Sequence, residues 1–284
     1  MWRSATFLLG FGLGLLWFER RSPLRPSRDP KLRRVTRNLV MAGMNAITVR
    51  LLETPVVQSL AKQVELRDWG LVRRLKLPRW SEDLLSVVLL DYTLYIWHVL
   101  AHRVPWIWRL HQVHHADLDL DASTALRFHF VEMVVSVPWR AAQVLVIGVS
   151  PRALGIWQRL LMASILFHHS NVRLPIRLER VLSWLIMTPR LHGIHHAADL
   201  ALRDTNWSSG LALWDVLHRT RKFDVPQESI RIGIEGLTEP EQVRLGEMLL
   251  LPAERPSPAL AIGRAVGLPQ RFTVALARRA FASH

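Results

Sequence analysis

The sequence predicts an all-α protein built as a membrane-embedded helical bundle, with a histidine-rich region held outside the hydrocarbon. Three observations predict it. Half of the 284 residues are hydrophobic, and they collect in long runs. Twelve tryptophans accompany them, and Trp is enriched where a bilayer meets water. Eight histidines fall into three groups with helical spacing: His98 and His102; His111, His114 and His115; His192, His195 and His196. Positions i, i+3 and i+4 share one helix face, so each group is expected to aim its imidazoles at one place.

The remaining composition narrows the class. With no cysteine, disulfide frameworks, thiolate zinc sites and iron–sulfur clusters are excluded. The formal charge is +14, which suits nucleic acid or an anionic membrane surface. The apolar runs favour the membrane. The Arg-rich stretch 20–37 directly follows an apolar segment, so it reads as a topology determinant and no nucleic-acid partner is expected.

Taken in order, the first apolar run is 5–18. Most of its positive charge follows it, whereas a cleaved signal carries charge before the run. It reads as a short membrane anchor, below the ~20 residues of a full span, with Trp2 and Trp17 flanking it. The positive-inside rule then places 20–37 in the cytoplasm. A second segment, 39–61, is interrupted by Arg50 and Glu53. The stretch 62–83 is basic and Trp-containing, as an interfacial loop would be. A third segment, 84–101, is apolar except for Asp91 and His98. Residues 103–130 are polar and His-rich. Two further segments, 131–149 and 153–167, meet at Gly148-Val149-Ser150-Pro151, a turn signal, and are expected to form a helical hairpin. With the N-terminus outside, this topology brings every histidine group to the cytoplasmic face. The tail from 223 lacks a long apolar run, and 264–283 reads as a basic amphipathic helix on the membrane surface. The expected organisation is 1–80 as anchor helices and basic loop, 81–222 as catalytic domain, and 223–284 as cytoplasmic tail.

The histidines carry the chemistry. Eight imidazoles are too many for one four-coordinate site and fit two ions sharing a site. All-nitrogen ligation argues against Mg and Ca, which take oxygen, and suits Fe, Zn, Cu or Ni. Two irons beside an apolar bundle suit O₂ activation and attack on an unactivated C–H bond, while spacing alone does not separate iron from zinc. Metal-bound His usually donates its other N–H to an acceptor. The local carboxylates available for this are Asp91, Asp117, Asp119, Asp121, Glu132 and Asp199. No dinucleotide fingerprint or haem signature is present, so an external electron-transfer protein is expected. Two other readings stand beside this one. One is a non-catalytic membrane protein with a structural dizinc site. The other is a metal-dependent lipid hydrolase using Glu132 as base.

Several motifs carry a family resemblance: D-Y-T-L-Y-I-W-H-V-L-A-H (91–102), P-W-I-W-R-L-H-Q-V-H-H (105–115), D-A-S-T-A-L-R-F-H-F-V-E (121–132), H-S-N-V-R-L-P (169–175) and T-P-R-L-H-G-I-H-H (188–196). Together they resemble the integral-membrane fatty acid hydroxylase / sterol desaturase superfamily over about 91–220. The resemblance implies about four spanning helices under a cytoplasmic helical cap that holds a His-rich dimetal site. It also implies O₂-dependent hydroxylation or desaturation of a lipid. It carries the ligand role to the eight histidines above and to His169, which stands next to Asn171. His129 and Glu132 match a motif whose members are ligands or partners of ligands. His168 and His218 are expected to pack, and His284 has no expected role. The chain departs from the family at Asn206-Trp207-Ser208-Ser209-Gly210, where N-Y-G is common. It departs again at Trp214–Thr220, where His218-Arg219 replaces Phe-Gly.

Overall fold

Prolines set the helix starts that position the histidines. The structure is a computed structural model that describes residues 2–254, with side chains from residue 10 onward. The expected helix at 264–283 and His284 lie outside the described residues. The helices are α1 (Trp2–Arg21), α2 (Lys31–Thr48), α3 (Thr54–Arg67), α4 (Leu71–Arg74), α5 (Arg79–Arg103), α6 (Pro105–His115), α7 (Phe130–Ile147), α8 (Pro151–His169), α9 (Ile176–Leu182), α10 (Pro189–His195), α11 (Leu200–Arg203), α12 (Leu213–Leu217) and α13 (Leu245–Leu250). A π-helical turn, Val49–Glu53, joins α2 to α3 without a break.

Proline is tolerated at the first helical turn and pushes the residue before it into extended backbone. Val104 is extended ahead of Pro105, so the chain turns between α5 and α6 and separates His102 from His111. Ser150 and Thr188 cap α8 and α10 by accepting from Ala153 N and Leu191 N, each just before a helix-opening proline. Extended pairing among the described residues is limited to isolated bridges at Pro23–Val172, Ile186–Leu211 and Ala197–Ile232. The all-α expectation therefore stands.

One apolar core joins α3, α5, α7 and α8 through Val57, Val64, Leu90, Leu94, Trp97, Val144, Leu154 and Trp157. Among the described residues, α5 and α7 are the helices long and apolar enough to cross a membrane. That is fewer than the four expected, and composition gives the reason. The buried side chains of α2 include Arg34, Arg37, Asn38 and Asn45, and α8 carries Arg152, Gln158 and Arg159. Helix α3 runs on to Arg67, and α4 and the start of α5 also fall within 62–83, the stretch the sequence reads as a basic interfacial loop. A second core, with Met41, Trp108, Val113, Ile234, Val243 and Met248, packs the 223–254 segment on α2 and α6.

The loops meet at two glycines. A Cβ on Gly70 would collide with the Gly148 main chain, and both residues have positive φ, +90° and +85°. No side chain fits there, and L-residues resist that backbone region. Gly148→Ala is expected to destabilise the protein by more than the roughly 1 kcal/mol that an incompatible backbone alone costs. A thermal midpoint equal to wild type in detergent would contradict this.

A buried ionic layer ties α2 to the 117–127 loop. Arg34 bonds Asp121 through Nη2 and Oδ2. Arg37 Nη2 donates to Asp117 Oδ1 at 2.9 Å, and Asn38 Nδ2 donates to Asp117 Oδ2 at 2.9 Å. Arg127 Nη1 donates to Asn38 Oδ1 at 3.0 Å. Burial alone would raise the Asp117 carboxyl, but the guanidiniums of Arg127, Arg34 and Arg37 outweigh it and hold it below the usual carboxylate range. Buried charges survive when paired and hydrogen-bonded in this way.

Candidate metal centre

Two groups of four buried histidines lie where α5, α6, α8 and α10 converge. Group one is His98, His102, His115 and His195; group two is His114, His169, His192 and His196. Within each, one ring nitrogen per residue lies within 4.8 Å of the others. The sequence expectation that each histidine motif serves one place is corrected here. His114 and His115 go to different groups, and so do His195 and His196, because successive residues on a helix point about 100° apart. Each ligand group therefore draws on more than one helix.

The ring protonation follows from outer partners. His98 Nδ1 is 2.6 Å from Trp207 O, and His195 Nδ1 is 2.9 Å from Thr205 O. In group two, His114 Nδ1 is 3.1 Å from Arg127 O, and His169 Nδ1 is 2.7 Å from Ile165 O. A carbonyl only accepts, so these Nδ1 atoms donate, and a neutral ring then has a bare Nε2. The bare Nε2 atoms face each other, 3.1 Å apart for His98–His195 and 3.1 Å for His114–His169. No proton sits between them to make a hydrogen bond. Ligand nitrogens about 2.1 Å from a common ion stand roughly 3.0–3.4 Å apart, so both pairs fit a cation between them. His102 and His115 have no hydrogen-bond partner at either ring nitrogen, which buried groups rarely tolerate.

Burial first, and neighbouring imidazoles second, push His115, His192 and His196 well below the ordinary histidine value. Burial likewise takes His195 down to about 3. These rings are neutral at physiological pH, the form that binds a transition metal. With eight nitrogens and no oxygen in the two groups, the donor set fits Fe, Zn, Cu or Ni better than Mg or Ca.

The other expected site residues are placed as follows. His111 belongs to neither group. Its Nδ1 is 2.9 Å from Glu132 Oε1, its Nε2 is buried without a partner, and its ring adjoins His98, His102, His114 and His115. Glu132 is thus brought to the site through His111. His129 caps α7, accepting from Val131 N through Nδ1, while its Nε2 lies 3.3 Å from Leu249 O. His129→Ala is expected to cost about 1 kcal/mol as a lost cap and to leave metal content unchanged. Metal loss in that variant, measured per folded chain, would put His129 back at the centre.

Asp91 accepts from Leu211 N at 2.9 Å and Trp214 Nε1 at 2.7 Å, pinning the 207–214 segment to the middle of α5. Asn171 pairs with the main chain of Arg25 and anchors the segment after α1. Asp117, Asp119 and Asp121 belong to the ionic layer, and Asp199 caps α11. His168 packs its ring 4.1 Å from that of His192, outside both groups. His218 stacks on Tyr95 at 5.0 Å and bonds the Tyr92 hydroxyl.

The sequence points to carboxylates as outer partners, yet those of His98, His195, His114 and His169 are main-chain carbonyls, and Glu132 partners His111 outside both groups. Every residue has a carbonyl, so no side-chain pattern reveals one. Thr205 and Trp207 escape sequence reasoning for that reason, and Asn206 and Asp215 because their side chains act on the main chain and not on a ligand ring. The sequence signal for Asn206 and Asp215 is that they keep the Asn of N-Y-G and the Asp after Trp214 in segments whose other residues depart from the family pattern.

Comparison with known proteins agrees with this geometry. Residues 84–220 match the fatty acid hydroxylase family. The chain is 32% identical over 160 residues to ornithine lipid hydroxylase OlsE of Rhizobium tropici, covering 56% of this chain and 47% of that protein. It is 28% identical over 177 residues to the alkylglycerol monooxygenase of Homo sapiens, covering 61% of this chain and 37% of that protein. It is 28% identical over 146 residues to a cholesterol 25-hydroxylase-like protein of Danio rerio, covering 50% and 56%. The chain thus spans about half the length, or less, of the first two relatives. No solved structure matches it. The match to the fatty acid hydroxylase family thus covers the segment, residues 84–220, that holds both histidine groups.

Proposed function

We propose that this protein is an integral-membrane, O₂-dependent lipid hydroxylase that holds two iron ions in its histidine groups. The observation that carries the reading is the pair of all-imidazole groups with facing bare Nε2 atoms at the C-terminal end of the apolar helix α5. When bound, the two irons supply the O₂-activating and C–H-oxidising chemistry. One oxygen atom enters the C–H bond and the other leaves as water, which requires two electrons and two protons from outside the chain. An external electron-transfer protein supplies the electrons.

The residues of the chain orient and exclude. Trp207, Thr205, Arg127 and Ile165 fix four ligand rings through their carbonyls. Trp207 and Trp108 lie against group one, at 4.6 Å and 4.9 Å from the His102 ring, and keep that side apolar. Glu132 holds the proton of His111 at Nδ1. In this reading α5 and α7 cross the bilayer, α3 and α8 pack along them to complete a core of about four helices, and the histidines face the cytoplasm. A lipid chain then reaches the site from within the membrane. The relatives named for an ornithine lipid, an alkylglycerol and cholesterol support a lipid substrate.

The test is metal content and EPR of detergent-purified protein, beside a His114→Ala, His195→Ala double variant, with lipid profiling of cells expressing each. About two irons per chain, lost in the double variant together with a hydroxylated lipid, is the expected result. Zinc that resists replacement in iron-supplemented cells, with no lipid change, would instead support the structural dizinc reading.

A further inference from the structure

Both outer acceptors found for group one come from a single tripeptide. His195 donates to Thr205 O and His98 to Trp207 O. The residue between them, Asn206, has φ +54°, the left-handed backbone that Asn tolerates better than most residues. Its side chain fixes that turn on three sides. Nδ2 donates to Leu191 O at 3.0 Å and to Lys222 O at 2.8 Å, and Oδ1 accepts from Lys222 N at 2.7 Å. Asp215 then holds the far end. Its Oδ1 accepts from Trp207 N at 2.8 Å and from the Thr220 hydroxyl at 2.6 Å, and its Oδ2 accepts from Ser208 N at 2.9 Å. Asn206 and Asp215 are both fully buried, so these bonds do not compete with water. Among the described residues, group two has no link of this kind. His169 donates to a carbonyl one turn back in its own helix, and His114 to Arg127 O, beside the ionic layer.

We infer that Asn206 and Asp215 are positioning residues for group one alone, forming a clamp whose two carbonyls set how tightly that group holds its ion. The inference rests on the reading of both groups as metal sites. Neither residue touches an ion. Each acts through a main-chain carbonyl that fixes the tautomer and direction of a ligand ring. Loss of such an outer partner typically weakens metal affinity roughly 10- to 100-fold. The two ions are therefore expected to respond separately to changes in the 205–215 segment.

The test is a chelator challenge of purified full-length holoprotein, counting iron and zinc retained per chain at graded chelator strength. In Asp215→Ala, one of the two ions is expected to leave at roughly 10- to 100-fold weaker chelation, with the other retained as in wild type. Asn206→Gly, which keeps the turn and removes its side-chain anchors, is expected to move the same ion. Asp215→Asn still accepts from Trp207 N and Thr220 through Oδ1 but turns a donor toward Ser208 N, so it is expected to weaken the same ion less than Asp215→Ala does. His98→Ala and His169→Ala assign the two release steps to group one and group two. Wild-type protein without metal would remove the underlying metal reading. Two ions in wild type and an unchanged profile in Asp215→Ala would overturn the clamp alone. Equal weakening of both ions, with Asp215→Asn no better than Asp215→Ala, would show a general structural role and also overturn it.

Discussion

Replacing His195 with alanine is expected to strip metal from group one and abolish lipid oxidation. The ring is buried, its Nε2 lies 3.1 Å from that of His98, and its own Nδ1 is committed to Thr205 O. His192 and His196 on the same turn are directed to group two, so neither replaces it. Loss of a ligand should exceed the roughly 10- to 100-fold effect of losing an outer partner, so turnover is expected to fall at least 100-fold. Group two should keep its ion, since all four of its histidines remain. Metal counting and product formation in membranes test both halves. Full metal content with normal turnover would eliminate His195 from the centre.

The largest stability effect is expected at Arg34. Its guanidinium bonds Asp121 and lies 3.9 Å and 4.0 Å from carboxylate oxygens of Asp117 and Asp119. Removing one member of a buried charged set leaves uncompensated charge and typically costs about 3–5 kcal/mol. For a chain of this size, that corresponds to a thermal midpoint lowered by roughly 6–20 °C. Arg33→Ala is the control: its pairing with Glu241 is exposed on both sides, and exposed pairs contribute roughly 0–1 kcal/mol. Equal midpoints for Arg34→Ala and Arg33→Ala would show that the ionic layer does not hold the fold. Because Asn38 links that layer to Arg127, whose carbonyl accepts from His114, Arg34→Ala is also expected to loosen group two.

The histidine spacing made the chemistry legible, because i, i+3 and i+4 periodicity forces the rings toward shared directions. Their division between two groups was not legible. Whether His115 joins His98 or His192 depends on how α6 crosses α5 and α10, and helix crossing is a property of packing that spacing does not encode. The apolar runs located α5 and α7 within a few residues. The same logic read the Arg-rich stretch 20–37 only as a topology determinant, yet it includes Arg34 and Arg37, which are buried in α2 beside Asn38. Those residues form the inner face of a helix, because carboxylates some 80 to 90 positions away complete them. His129 shows how a motif and its contacts can point different ways. Its motif drew attention as a metal partner, and its ring nitrogens face a helix N-terminus and a distant carbonyl.

The facing histidines also bear on how the chain stays closed. His98 and His195 are 97 residues apart in sequence, and His114 and His169 are 55 apart. An ion held between such rings is a cross-link, and it restricts the unfolded chain as a disulfide would. For a disulfide closing about 100 residues, that restriction is worth roughly 4.7 kcal/mol in the chain-entropy account. This chain has no cysteine, so it has no covalent alternative. In the proposed reading its two histidine groups are then staples as well as reaction centres, and a cell short of metal is expected to accumulate a looser, more protease-sensitive chain.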